Sequence, residues 1–254
     1  MEAFSIKTVK QSRLLRVMGV LAASSLAAAV AVPGVAWADT SAKPAIAIGS
    51  MPVGLAVDSV TDMAYTTDTL AKAISVIDLS TDRVTATINL NFDPLALAVD
   101  PTTDTVYVDG GNSVLAINGA TDKVIHTIHA HLFGGGIAVD PTTDTVYVEA
   151  HNAVSAINGG TDKVIHTIAV PASVSDGGGA IAVDPSTDTV YLDGRNSMLA
   201  INGATDKVIH TIHAHLFGGG IAVDPRPPRT RGPHFGIPWR SMVAWLYLSI
   251  TSRR

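Results

Sequence analysis

Histidine and acidic side chains carry most of the chemistry open to this chain of 254 residues, which holds nine His and 22 Asp plus Glu. The histidines crowd twice into the string HTIHAH, at His126, His129 and His131 and again at His210, His213 and His215. Metal binding is the first chemistry to test, because imidazole is a common ligand. On a strand alternate residues share a face, so His129 and His131 point together with Thr127, and His126 points away with Val124 and Ile128. Two ligands two residues apart need a third from elsewhere, and neither a cysteine nor a facing carboxylate offers itself. HTI also recurs at His166, so these read as outer-strand histidines of a repeat. The aspartate pairs Asp100/Asp104, Asp140/Asp144 and Asp184/Asp188 invite a calcium or acid/base reading. Calcium loops need more oxygen ligands at closer spacing and a glycine at the bend, which DPTTDT lacks, so turn formation is the expected role. The triglycines Gly134 to Gly136, Gly177 to Gly179 and Gly218 to Gly220 are followed by no Gly-Lys-Ser/Thr and precede a strand, so they read as crossings into a crowded inner strand. With no GxSxG either, the expected sets of catalytic, cofactor-binding and metal-binding residues are all empty, and no cofactor is expected.

Composition narrows the classes further. The absence of cysteine excludes a thiol nucleophile, a Cys-ligated zinc or iron–sulfur centre and a CxxC redox pair. Only 5% of residues are aromatic and the formal charge is −5, so the chain offers neither stacking platforms nor a basic stripe for nucleic acid.

The elements that would position these residues come from a repeat. An aspartate closing ALAVD, GIAVD or GLAVD stands at Asp58, Asp100, Asp140, Asp184 and Asp224, a spacing of 42, 40, 44 and 40. Within residues 137 to 176, four β-type runs (IAVD, TVYVEA, AVSAIN, KVIHTIAV) are separated by links rich in Pro, Asn, Asp and Gly. Four strands in about 40 residues describe a propeller blade. The fold expectation is therefore all-β: a β-propeller of four-stranded blades, about four complete plus a partial fifth, in an incomplete ring. The blades lie near 50–90, 94–131, 134–170 and 177–215, with the partial one at 217–225. Residues 44–49 (PAIAIG) look like the outer strand that completes a last blade.

The pattern AVDPTTDTVYVDGGNSVLAINGATDKVIHTI resembles the YVTN-type β-propeller repeat. The first blade matches it most closely, with Tyr65, Ile77, Asp78, Val84 and Ile88 in the family's positions. Later blades place Asp109-Gly110, Glu149-Ala150 and Asp193-Gly194 where the family has Thr-Asn, and Asn118, Asn158 and Asn202 where it has the aspartate. The resemblance spans about residues 44 to 225. It implies the fold; as to activity it implies exported and surface proteins, with lyases and dehydrogenase-like enzymes among similar propellers.

Residues 1–38 read as a signal peptide: Lys7, Lys10, Arg13 and Arg16 precede the apolar run Val17 to Val32, and Ala36-Trp37-Ala38 places cleavage between Ala38 and Asp39. The run is short for a stable span, so no transmembrane segment is expected after cleavage. Between Asp39 and Pro225 there are 21 acidic and 7 basic residues, whereas residues 226–254 carry six arginines and no acid. Composition changes inside a motif, so the basic tail reads as a frameshifted or misjoined end, with a genuine tail as the other reading. Residues 103–141 and 187–225 differ at three positions, Val108/Leu192, Gly111/Arg195 and Val114/Met198. Near-identical blades present repeated surfaces where an enzyme needs unlike residues to converge. The expected function is an exported binding scaffold for a protein or cell-envelope glycan. A propeller enzyme, lyase or cofactor-dependent oxidoreductase, with its site in missing blades is one alternative, and a non-functional truncated product is another.

Overall fold

Residues 45–130, 135–150, 152–171, 174, 179–194, 197–213 and 220–223 are described by a computed structural model. They contain sixteen strands. The first sheet comprises β1 (Pro52–Asp58), β2 (Met63–Asp68), β3 (Ala73–Asp78) and β4 (Arg83–Asn89). β5 (Leu97–Asp100), β6 (Thr105–Asp109), β7 (Ser113–Asn118) and β8 (Lys123–His129) form the second. The third contains β9 (Ile137–Asp140), β10 (Thr145–Ala150), β11 (Ala153–Asn158) and β12 (Lys163–Ala169). The fourth contains β13 (Ile181–Asp184), β14 (Thr189–Asp193), β15 (Ser197–Asn202) and β16 (Lys207–His213). Every sheet is an antiparallel meander in sequence order.

The turn residues produce this meander directly. Asp100 Oδ1 accepts the Thr102 amide at 2.7 Å, and Asp140 Oδ1 that of Thr142 at 2.8 Å, so each strand-ending aspartate folds the chain back on itself. Four residues later the chain passes through the left-handed region at Asp62, Asp104, Asp144 and Asp188, a conformation Asp tolerates better than most side chains. The link from third to fourth strand repeats the device: Asn118 Oδ1 accepts the Thr121 amide at 3.0 Å, and Asp122 has φ of 57°.

Sheets stack face to face in chain order, and their first strands lie side by side in the sequence β1, β5, β9, β13. Among the described residues no comparable packing joins β13 to β1. Each seam is an apolar layer built by strand alternation. Tyr65, Ile74, Val76 and Ile88 of the first sheet meet Leu97, Val106, Val108, Leu115 and Ile117 of the second. The tyrosines are 0%, 1% and 2% exposed at Tyr65, Tyr107 and Tyr147. Tyr107 sits between Ala98 and Ala116, and Tyr147 between Ala138 and Ala156, so small neighbours leave the ring room to reach the next sheet.

Two expectations about strands change. Pairing in the outer strands slips at a bulge, between Ala116 and Ile117 on the β7 side and at the same place in the other sheets. Ala116 opposes His126 while Ile117 opposes Val124, so Ile125 is the extra residue and Val124 does not share the face of His126, as simple alternation had it. The bulge also interrupts an exposed edge that carries Val124 and Ile125, 44% and 47% exposed, which blunts it against pairing with another edge. Residues 45–49 form no strand, yet Ile46 and Ile48, with Leu55 and Val57, pack on the cluster of Ala64, Ile77 and Leu79. Ile128 packs on the matching Ile137 and Val146 one seam further on, so the segment holds the place of a preceding outer strand. Of the partial fifth repeat, residues 220–223 carry no strand, and the rest lies outside the described residues, as do the signal segment 1–38 with its Ala38/Asp39 junction and the tail 226–254.

Candidate functional site: the polar ends of the seams

At one end of each seam the two kinds of turn bring three carboxylates toward one tyrosine. The first seam gathers Asp58 at the end of β1, Tyr65 from β2, and Asp104 and Asp122 from the turns of the second sheet. Asp100, Tyr107, Asp144 and Asp162 repeat this at the second seam, and Asp140, Tyr147, Asp188 and Asp206 at the third. Glycine makes the approach possible. A Cβ on Gly119 would stand 2.9 Å from Tyr65 Oη and collide with Asp104 Oδ1; Gly159 and Gly203 hold the same relation to Tyr107 and Tyr147. The first sheet has Leu79 at this position and no described tyrosine arriving against it.

This crowding of like charge away from water changes the acids. Burial, with Asp58 and Asp122 adding to it, pushes the Asp104 carboxyl up, and burial with Asp104, Asp122 and Asp58 pushes the Tyr65 hydroxyl up to about 12. Partly exposed Asp78 shows the opposite behaviour: the Ser80 hydroxyl and amide hold it below the usual carboxylate range. The Asp pairs singled out in the sequence thus do make turns, and the second member of each also lines a seam. The histidines find partners that spacing alone did not show. His126 Nε2 lies 3.4 Å from Asp162 Oδ2, and His166 Nδ1 lies 3.4 Å from Asp206 Oδ2, each reaching from an outer strand to the next sheet. Among the described residues no three His, Cys, Asp or Glu side chains are arranged to hold a metal ion.

The opposite end carries the residues that depart from the Thr-Asn of the repeat. Asp109, Glu149 and Asp193 stand two residues after the tyrosine, at or next to the end of the second strand in the second, third and fourth sheets, and are buried; in the first sheet Thr67 takes that place and buried Asp68 follows it. Asp68 Oδ2 accepts the Ser50 amide at 2.7 Å, and Asp109 Oδ1 the Gly111 amide at 2.7 Å. Burial lifts Asp109 to about 6 against the pull of the Gly111 and Gly135 amides; burial also raises Glu149 against the amides of Gly179 and Gly136, with Asp109 and Asp193 adding to the rise. These acids hold down the loops that carry the chain inward. The expected crossing role of the glycines is visible at Gly136, whose amide donates to Gly179 O at 2.9 Å across the third seam. A Cβ there would stand 2.6 Å from the Ile181 nitrogen. Gly136→Val is therefore expected to cost about 1–3 kcal/mol, read as a lower midpoint in urea denaturation, because backbone must move to admit the side chain. The remaining members Gly134, Gly177, Gly178, Gly218 and Gly219 lie outside the described residues, as do His131 and His215.

No family model matches this sequence, and no curated protein does. Among solved structures, hydrazine synthase of Kuenenia stuttgartiensis is similar over 65% of this chain and 49% of its own, with TM-score 0.58 and 21% identity. The fold is β-propeller-like. The chain spans about half the length of that neighbour, and at this identity the likeness carries architecture alone. No helix among the described residues is long and apolar enough to cross a membrane.

Proposed function

We propose that this is an exported binding scaffold of the YVTN type, four blades of an incomplete ring with the beginning of a fifth, which presents repeated surfaces to a protein or cell-envelope glycan. One observation carries the reading: the polar groups with unusual surroundings recur once per seam and are engaged in joining sheets. Unlike groups do not meet in a single catalytic arrangement among the described residues. The outward-facing chemistry that remains, such as the Thr121, Thr161 and Thr205 turns, is the same from blade to blade. Binding by such a surface gains strength from multiplicity.

The incomplete ring is supported by the last sheet. Tyr191 and Asp184 are partly exposed where their equivalents in earlier sheets are sealed, and His210 has no carboxylate partner among the described residues. This face has the form of a seam that awaits a following sheet. The enzyme alternative draws on the neighbour's name, which is that of a synthase, and on the half of that chain left uncovered; its site would lie in further blades.

Export is tested by N-terminal sequencing of the secreted product, which should begin at Asp39. For binding, the purified chain is mixed with isolated cell envelopes and competed with free sugars or with envelope polysaccharide. Polymer is expected to compete on the order of 10²-fold better than its monomer. Equal competition, or no retention by envelopes at all, would overturn the scaffold reading.

A further inference from the structure

The register of the outer strands sets up an internal comparison. Ala86, His126, His166 and His210 occupy one structural position, each directly opposite the third-strand residue Val76, Ala116, Ala156 or Ala200. At the second and third seams the position is histidine and reaches an aspartate of the next sheet, Asp162 or Asp206. The first seam has the corresponding Asp122 but alanine opposite it. There Asp122 Oδ1 and Tyr65 Oη are buried without a hydrogen-bond partner; Asp104 Oδ1 and Asp58 Oδ2 are too, in common with Asp144 Oδ1, Asp188 Oδ1, Asp100 Oδ2 and Asp140 Oδ2 at the later seams. Position 210 has the histidine without a described following sheet.

We propose that His126 and His166 are proton-operated latches which tighten the second and third seams when the surroundings become mildly acidic. The imidazole of His126 is faced from the next sheet by Asp162, with Asp144, Asp100 and the hydroxyl of Tyr107 behind it; its own third strand offers only Ala116. His166 is faced by Asp206, with Asp188, Asp140 and Tyr147 behind, and by Ala156 on its own sheet. The groups behind are acids and a phenol, and the cations nearest in sequence are Lys163 and Lys207, which follow the two aspartates on exposed strand ends, so the imidazolium's closest charge across the seam is a carboxylate. A neutral imidazole gains little from the same surroundings. Asp162 and Asp206 are largely shielded, 13% and 22% exposed, although the histidines are 60% and 59% exposed, which places the pair between a surface and a buried ion pair. Histidine ordinarily gains its charge between pH 8 and pH 5.

Thermal unfolding followed by circular dichroism at pH 8 and pH 6 tests this on the intact chain. Each latch is expected to raise the midpoint at pH 6 relative to pH 8 by about 1–4 °C. His126→Gln with His166→Gln should remove that part of the gain and leave the midpoint at pH 8 nearly unchanged. His210→Gln should leave the pH profile as it is. Ala86→His should add a third increment by supplying the first seam with its missing partner. The proposal is overturned if the double variant keeps the pH profile of the parent, or if His210→Gln alters it as much as either latch variant does. Failure of the envelope-binding test would leave this result untouched, since no ligand is involved.

Discussion

Tyr107→Ala is expected to destabilise the protein by about 3–5 kcal/mol, while the same substitution at Tyr191 costs about 1 kcal/mol or less. The two residues share register, flanking alanines and repeat position. They differ in what lies beyond them. Tyr107 is 1% exposed and packs in the layer with Ile137, Val146 and Ile157 of the next sheet, so truncation leaves a void between two rigid sheets. Tyr191 is partly exposed on the last described sheet, where water can occupy what the ring vacates. Urea denaturation of both variants measures the contrast. Tyr65→Phe separates ring from hydroxyl: its oxygen is buried without a hydrogen-bond partner, so removing it should leave stability unchanged or raise it slightly. Equal losses at Tyr107 and Tyr191 would show that the seam is not what buries the ring.

Stability is expected to fall as pH rises from about 4 to about 6, opposite to the behaviour of a protein held together by ionised salt bridges. Asp109 has its carboxyl lifted by burial from 3.8 to about 6. The folded state therefore holds this proton more tightly than the unfolded chain. Its contribution is complete below about pH 4 and is lost as pH rises through about 6, a difference of about 3 kcal/mol. Glu149, Asp104, Asp122, Asp144, Asp162 and Asp188 are also raised, in every case chiefly by burial, and act in the same direction. Asp109→Asn keeps the acceptor for the Gly111 amide and removes the buried charge. It should stabilise the protein by about 1–3 kcal/mol at pH 7.5 and flatten the slope between pH 4 and pH 6. Urea midpoints across that range decide the matter; a variant less stable than the parent at pH 7.5 would mean that the carboxylate charge is needed to hold the loop.

The four-stranded sheets were legible because each link announces itself. Asp-Pro-Thr-Thr-Asp and Asn-Gly-Ala-Thr-Asp combine a side-chain acceptor with residues that tolerate the left-handed turn, and these signals depend on a few consecutive residues. The seam residues were half legible. Alternation marks Tyr107 as facing one way, yet its partner Gly159 lies 52 positions further on, and nothing local ties them. A signal was nonetheless present: Gly follows Asn at positions 118, 158 and 202, while Leu79 follows Asp78 in the first repeat, where no described tyrosine comes to rest. The bulge at Ile125 was invisible, because a register slip is decided by two strands together. Placing Val124 with His126 followed from assuming unbroken alternation. The acids at 109, 149 and 193 stood out as departures from a repeat, but their burial depends on loops arriving from the neighbouring sheet.

The pairing of Tyr on the outgoing side with Gly on the incoming side makes each of the later sheets complementary to copies of itself. Duplicating such a unit adds a ready-made junction, and deleting one restores the junction between its former neighbours. The agreement of residues 103–141 with 187–225 at all but three positions is what an array extended in this way retains. Leu79 is where the pattern changes: the first sheet carries a leucine at the position where each later sheet has the glycine that receives a tyrosine.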